Sequence, residues 1–547
     1  MKTGKRRESR ILQLEMMPEH SRTMLVAAAA RKAGVPAGDV RAEDIRILRK
    51  SLDARNKNRI HWLYTLELFP APMVLSGVAA VLPQRDMIMI QQGRRPRPII
   101  IGTGPAGLFA ALLLAMAGQS PLLIERGQPI EQRQLDVARF WQGGLLNPES
   151  NIQFGEGGAG TFSDGKLTTG IKDPFCRAVL EELVLAGAPD DLLYAAKPHV
   201  GTDVLRLAMI GLRGKIMAHG GEIRYGCKLT GLIAASGHLK AIRVSENGQE
   251  QEIAADQLIL ATGHSARDVF ELLDGLKVPL AAKPFSLGVR IEHPQALIDA
   301  GQYAALAGNP GLPPAEYKLV CHLAGGRSVY TFCMCPGGQV VAAASETGGV
   351  VTNGMSHHAR SLDYANSALL VGVTPDDFPE KDALAGMRWQ RTIEQAAYRA
   401  GGGTYAAPVQ TVGDFLGQKP AFRSAVRASL PVLPGRSSND WLTEPSYRPG
   451  INWCDLDDCL PAFVCQTLRE ALPLLERKLT GFAAPGAVLT GVETRSSSPV
   501  RILREENRQS VLTGLYPVGE GAGYAGGIMS AAVDGLRSAQ AVMLEAL

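Results

Sequence analysis

Residues 97–126, RPIIIGTGPAGLFAALLLAMAGQSPLLIER, constrain this chain more than any other stretch. Ile99–Ile101 is a β-branched run of the kind that forms a buried parallel strand. Gly102, Gly104 and Gly107 follow at once in the spacing G-x-G-x-x-G. Residues 108–117 are apolar and rich in helix formers, Gly118 is a helix stop, and Leu122–Ile124 is a second strand closed by Glu125. Strand, glycine turn, helix, strand and terminal acid in this order predict a dinucleotide site. Gly102 permits the tight turn, Gly104 leaves room for a pyrophosphate, and Gly107 lets the helix pack on the strand. The helix N-terminus presents unpaired N–H groups and its positive dipole end to the phosphates, with Pro105 and Ala106 among the expected cofactor contacts. Glu125, with Arg126 beside it, is placed to accept hydrogen bonds from an adenosine ribose.

A chain of 547 residues has room for two to four domains at about 100–200 residues each. Charge is uneven along it. Residues 1–60 hold 15 Lys and Arg against 7 Asp and Glu, a net of +8, so the remainder carries −4 of the total +4. A basic N-terminal piece is either a solvated surface or a contact for nucleic acid, membrane or protein. The charged start MKTGKRRESR is not a secretory signal, and the uncharged residues 73–82 fall far short of the ~20 needed to span a bilayer. Eight cysteines without a regular framework predict thiols and a cytoplasmic location.

In chain order, residues 10–15, 21–32, 44–52 and 59–68 read as strand, helix, strand, strand, with Ser21 as the helix N-cap. Prolines 70, 72 and 83 and residues 93–98 mark an exit into the next unit. Residues 141–170 are glycine-rich. Gly155, Gly157 and Gly160 repeat G-x-G-x-x-G by letter, but no strand precedes them and no helix follows. In this loop Gly157 and Gly158 let backbone amides approach a flavin, while Ser163, Asp164 and Lys166 offer polar groups to orient its ring. Residues 202–218 are an amphipathic helix, residues 228–234 and 239–246 form a hairpin-like pair, and residues 258–261 are a strand ending in Thr262 and Gly263. Residues 285–292 alternate as a strand. Residues 328–336 and 340–345 read as a hairpin about Gly337 and Gly338. Residues 460–479 are helical with a kink at Pro473. Residues 487–490 and 515–518 are strands of the nucleotide domain. Gly519 and Glu520 then precede a helix from Ile528, with Gly527 at its start. That pattern suits the flavin end of FAD, where a helix N-terminus stabilises negative charge on the ring.

Four segments carry a closer likeness: FGEGGAGTFSDGKL at 154–167, PFSLGVRIEHPQ at 284–295, ETRSSSPVRI at 493–502 and YPVGEGAGYAGGIMSAAVDG at 516–535. With them, residues 95–547 resemble a bacterial family of FAD-dependent dehydrogenases of undefined substrate, distantly related to the fumarate reductase group. The resemblance implies noncovalent FAD and a redox role. The expected fold is α/β: a doubly wound Rossmann-like FAD-binding domain at 93–270 and 485–547, an inserted α+β substrate domain at 271–484, and an N-terminal β-α-β-β domain at 1–92.

Four residues are the candidates for chemistry beyond the flavin. Arg290 and Arg495 either clamp a carboxylate or offset charge on the reduced ring, or form salt bridges within their own loops. Cys333 and Cys335 form a C-x-C pair expected on one strand face, either as buried thiols or as a redox or substrate-facing pair. No second nicotinamide-binding unit is visible, so NAD(P)H or a protein electron partner would bind transiently. The expected function is hydride transfer between flavin N5 and a small organic substrate. The alternatives are an RNA-associated flavoprotein using the basic N-terminal unit, although nucleic acid is not favoured as a partner, and a redox sensor or electron-transfer flavoprotein.

Overall fold

The structure is a computed structural model that describes residues 9–82, 97–417 and 444–545. The N-terminal unit comprises β1 (Arg10–Met16), α1 (Arg22–Ala33), β2 (Ile45–Asp53) and β3 (His61–Leu68), with antiparallel sheet order β1-β3-β2. Ser21 caps α1 as its residue type predicts: its Oγ accepts the Met24 N–H at 3.1 Å. Leu25 and Ala28 to Ala30 on α1 pack against Ile45, Tyr64, Leu66 and Leu68 on the sheet. The unit is fastened to the rest of the chain. Trp62 Nε1 donates to Gly311 O at 3.1 Å, and the Lys50 N–H donates to Tyr194 O at 2.8 Å. Of the expected exit, Pro83 and residues 93–96 lie outside the described residues, as do the domain boundary at 92 and the basic start at 1–8.

The nucleotide unit begins with β4 (Ile99–Ile101), α2 (Pro105–Met116) and β5 (Leu122–Ile124), followed by α3 (Ile130–Gly143). After the helix Thr202–Ala218 come β6 (Glu222–Arg224), a three-stranded antiparallel sheet of β7 (Cys227–Ala235), β8 (His238–Glu246) and β9 (Gln249–Ala254), and β10 (Leu258–Leu260). Leu515–Pro517, from the far end of the chain, completes a five-stranded parallel sheet in the order Leu515–Pro517, β10, β4, β5, β6. The central strands are apolar at every position because both faces are covered, one by helices and the other mainly by the β7-β8-β9 sheet with the helix Arg267–Gly275. Helix α2 lies between this sheet and the C-terminal helix Ile528–Glu545. The approach is close enough to need glycine: a Cβ on Gly107 would come within 1.9 Å of Gly102 O, and one on Gly535 within 2.1 Å of Ala106 O.

Residues 280–502 supply a second, larger sheet. It contains β12 (Phe285–Pro294), β13 (Val320–His322), β14 (Ser328–Ala342), β15 (Thr352–Ser356), β16 (Tyr364–Val373), β17 (Ala407–Thr411), β18 (Ile451–Trp453) and β19 (Val488–Glu493). Their order is β13-β14-β16-β12-β19-β17-β18, with β15 paired to β14. The short strands β11 (Leu280–Ala282) and β20 (Val500–Ile502) pair with each other, and Leu515–Pro517 is β21. The core of this unit runs through Leu287, Val289, Leu369 and Val371 to the helix Ala462–Glu476, which holds Pro473 within it.

Three sequence expectations fail here. Gly337 and Gly338 do not turn a hairpin. β14 runs straight through them and exchanges its partner β16 for β15 at Gly338. Gly337, at φ +49°, serves a bulge, where a Cβ would meet Arg360 O at 1.9 Å. The strand expected at 487–490 in the nucleotide sheet is β19, which pairs with β12 in the large sheet. The helix Arg267–Gly275 crosses the expected boundary at 270. Among the described residues no helix is long and apolar enough to cross a membrane.

Candidate functional site: a cleft at the strand ends

The strand order of the parallel sheet reverses at β4, with β5 built to one side and β10 and β21 to the other. The carboxyl ends of strands at such a switch point frame a crevice. Here Gly104 after β4, Glu125 after β5, Thr262 and Gly263 after β10, and Glu520 after β21 line one cleft of about 1650 Å³, part of it open to solvent. The 153–166 loop, the edge of β14 and β15, and residues 526–528 close its other walls. β5 and β21 are three strand spacings apart, so their terminal acids flank the glycine turn at roughly 14 Å.

The turn has the form the sequence predicts. Gly102 sits at φ +99°, and Gly104, at φ −71°, caps α2 without a side-chain hydrogen bond. A Cβ on Gly104 would meet nothing nearer than Gly158 Cα at 3.8 Å. The second glycine loop folds over this turn. The Gly157 N–H donates to Thr103 O at 2.8 Å, and only a 3-10 turn, Ala159–Phe162, follows, as its lack of a preceding strand suggests. Gly158 lines the cleft, whereas Gly157 and Gly107 do not and serve packing. Gly519 likewise packs, its N–H donating to Asp534 Oδ2 at 2.8 Å.

Arg133, which sequence reasoning did not find, holds this loop. It projects from α3, is fully buried, and donates to the carbonyls of Asn151, Ile152, Gly155, Glu156 and Gly158 and to Thr161 Oγ1, at 2.6 to 3.3 Å. Burial lowers its guanidinium to about 9, with Glu125 opposing the fall, so it remains charged at neutral pH.

Glu125 departs from expectation. One carboxylate oxygen accepts from the N–H and the hydroxyl of Thr103, both at 2.8 Å, and the other from the N–H groups of Gly127 at 2.9 Å and Gly155 at 3.0 Å. A carboxylate has about four acceptor positions. All are filled, so Glu125 ties the two glycine loops together and has none left for a ribose. Arg126 lies 4.1 Å above the Phe154 ring and pairs with Glu149 and Asp268. Glu520 keeps 27 % of its side chain open, and burial pushes its carboxyl up to about 7, Lys283 opposing. His264 Nε2 lies 3.9 Å from it, and burial with Arg495 and Arg267 lowers that imidazole to about 3, so it is neutral.

The four residues expected to act on substrate are mostly committed elsewhere. Arg290 is fully buried. Its Nε and Nη2 donate to Glu493 at 2.8 and 2.9 Å, and its Nη1 to Asn366 Oδ1 at 2.8 Å and Cys333 O at 3.2 Å. Arg495 lines the cleft, but its donors go to Glu394 at 2.9 and 2.8 Å and to Ser345 Oγ at 2.5 Å. Arg290 is closed off from any ligand, and Arg495 has three of its five N–H donors already taken. The C-x-C pair does not share one strand face either, because a bulge lies between Phe332 and Cys335, with Cys333 at φ +45°. Cys333 lines the cleft. Cys335 is fully buried, its S–H directed to Cys333 O at 3.2 Å, and burial pushes its thiol up to about 12.

A cluster at the large-sheet end of the cleft takes their place. Asp164, 1 % exposed, accepts a hydrogen bond from Ser356 Oγ, and its Oδ2 faces His199 Nδ1 at 3.3 Å, Lys166 Nζ at 3.5 Å and Arg360 Nη2 at 3.7 Å. Burial works to raise this carboxyl, but Lys166, His199 and Arg360 hold it well below the carboxylate range. Lys166 lines the cleft with Ser163, whose hydroxyl donates to Gly160 O at 3.0 Å. His199 and Arg360 had no usable sequence signal, being 35 and 196 residues from Asp164.

Comparison with known proteins agrees with this architecture. Residues 284–496 match the family described as "FAD-dependent protein, C-terminal domain-like", and residues 8–69 match a domain of unknown function. An uncharacterized protein of Clostridium beijerinckii is 43% identical over 545 residues, 98% of either chain. The chain belongs to this family of FAD-dependent proteins, and FAD is its cofactor. Solved structures with partial likeness include a flavin-dependent brominase, Bmp2 (13% identity, 82% of this chain and 79% of that one, TM-score 0.37). Another is the quinol fumarate reductase FrdA of E. coli (13% identity, 82% and 70%, TM-score 0.34). Likeness at that level carries no argument. The residues present fit the cofactor on their own terms: an uncapped N-terminus on α2, a Gly104 whose missing Cβ would point into the cleft, and open space at Gly263, Gly526 and Gly527.

Proposed function

We propose that the protein is an oxidoreductase that passes hydride between flavin N5 and a small organic molecule bound at the large-sheet end of the cleft. The observation that carries this reading is the convergence of four strand ends and the 526–528 turn on one cavity. In it the N–H groups at the start of α2 bind the pyrophosphate, with Gly104 and Gly158 leaving room for it. Arg126, Lys228 and Leu229 surround the adenosine, since they line the cleft beside β5. Gly527 and Ile528, at the N-terminus of the last helix, face the ring, and the positive end of that helix favours negative charge there. Bound FAD supplies two-electron transfer at N5. The chain's own groups orient the substrate, exclude water and hold protons. Lys166 stays an ammonium because Asp164 outweighs the effect of its burial.

An RNA-binding role for the N-terminal unit has little to support it. Tyr64 is buried and Trp62 is spent on Gly311 and on the Lys50 ammonium, 4.3 Å from its ring, so neither is free to stack on a base.

Anaerobic mixing of the oxidised holoprotein with alcohols, amines, hydroxy acids, NADH and NADPH tests the reaction type. The expected result is saturable bleaching of the flavin by at least one donor, slowed severalfold by deuterium on the donated C–H. Bleaching by protein electron carriers alone would contradict it and favour an electron-transfer flavoprotein.

A further inference from the structure

The group at the substrate end with the least to do is Lys166. Its backbone is pinned from both sides: the Leu167 N–H donates to Pro198 O and the Val200 N–H to Gly165 O, both at 3.1 Å. Its ammonium has three donors. Among the described residues its one ionic contact is Asp164 at 3.5 Å, and Asp164 is shared with His199 and Arg360.

The charges at this end do not cancel. Glu493 is matched bidentately by Arg290. Asp164 alone faces both Lys166 and Arg360. Three permanent cations, Arg290, Lys166 and Arg360, against two carboxylates leave a surplus of at least one positive charge. The site is partly enclosed, so solvent screens that charge poorly. Phe332 gives the same cleft an apolar wall. Asn353 also lines it; its Oδ1 accepts the Gly354 N–H at 2.8 Å, and among the described residues its amide N–H₂ has no partner. A cation with spare donors, an amide donor and an apolar wall at one end of a cleft suit a small organic anion.

We infer that Lys166, helped by Asn353 from the lining of the same cleft, receives a carboxylate on the substrate. The inference rests on the flavin reading of the cleft. The one other source of the same charge is the reduced ring itself, so the test separates the two.

The wild-type holoprotein is titrated with benzoate and with benzamide, its neutral counterpart, and the visible flavin spectrum is followed. Flavin content is measured first in every sample. Saturable perturbation by benzoate is expected, with benzamide weaker by about tenfold or more. Lys166→Met should lose that preference while keeping its flavin, and Lys166→Arg should retain part of it. Benzoate bound equally well by Lys166→Met would overturn the inference. So would unchanged benzoate binding with a lowered flavin reduction potential, because the lysine would then serve the reduced ring, or flavin loss from the variant alone. A wild-type protein that takes up no flavin would instead defeat the underlying cofactor reading.

Discussion

Arg133→Met should destabilise the protein by about 3–5 kcal/mol and strip its flavin. The guanidinium satisfies five backbone carbonyls and one hydroxyl in residues 151–161, and methionine can satisfy none. Each buried carbonyl left without a donor costs about 1–3 kcal/mol, unless the loop opens to water instead. Opening is the cheaper course. It moves Gly158 off the phosphate turn and frees Gly155 from Glu125, and so dismantles the cleft at its centre. Arg133→Lys keeps the charge but not the planar fork and should be nearly as damaging. Thermal unfolding and bound-flavin absorbance measure the two losses. A variant with wild-type melting temperature and flavin content would show that the loop holds itself.

The second large effect concerns Glu394, 1 % exposed, which accepts from Arg267 and Arg495 and from Thr494 Oγ1. Burial tends to raise its carboxyl, but the two guanidinium groups prevail and hold it at about 2, against an ordinary value of 4.5. A depressed folded pKa contributes stability that is complete above the unfolded value and vanishes as pH falls through the folded one. The window is therefore from about pH 4.5 down to about 2, and the stability involved is about 3 kcal/mol. Glu394→Leu should cost at least that much at neutral pH, because two buried guanidinium groups lose their counter-ion. Glu394→Gln should flatten the acid limb of the stability profile. An unchanged acid limb in Glu394→Gln would assign it to other carboxylates.

Local signals were legible where chemistry is local. The 97–126 unit, the N-terminal strand-helix-strand-strand unit and the helix Thr202–Ala218 all follow from periodicity, caps and glycines within a few residues of each other. Side-chain commitments were not legible. Arg290 and Arg495 read equally as ligand clamps or as salt bridges within a loop, and the partners that occupy them, Glu493 and Glu394, lie 203 and 101 residues away. Glu125 is where the dinucleotide pattern requires an acid, but Thr103, Gly127 and Gly155 fill it. Gly337 needs its positive φ, yet a bulge in a long strand and a hairpin turn ask for the same residue. β19 carries an apolar pattern that either sheet accepts, and only the pairing with β12 decides between them.

The most direct test of the single dinucleotide cleft is FAD stoichiometry in the wild type and in Gly104→Leu. Gly104 has φ −71°, which leucine adopts without strain, and its missing Cβ would make only an ordinary contact, with Gly158 Cα at 3.8 Å, so the variant should fold. One FAD per wild-type chain is expected, with binding weakened by at least about 100-fold in Gly104→Leu at unchanged melting temperature of the apoprotein. Equal FAD affinity in the two proteins, or a wild type that stays colourless after reconstitution, would contradict it.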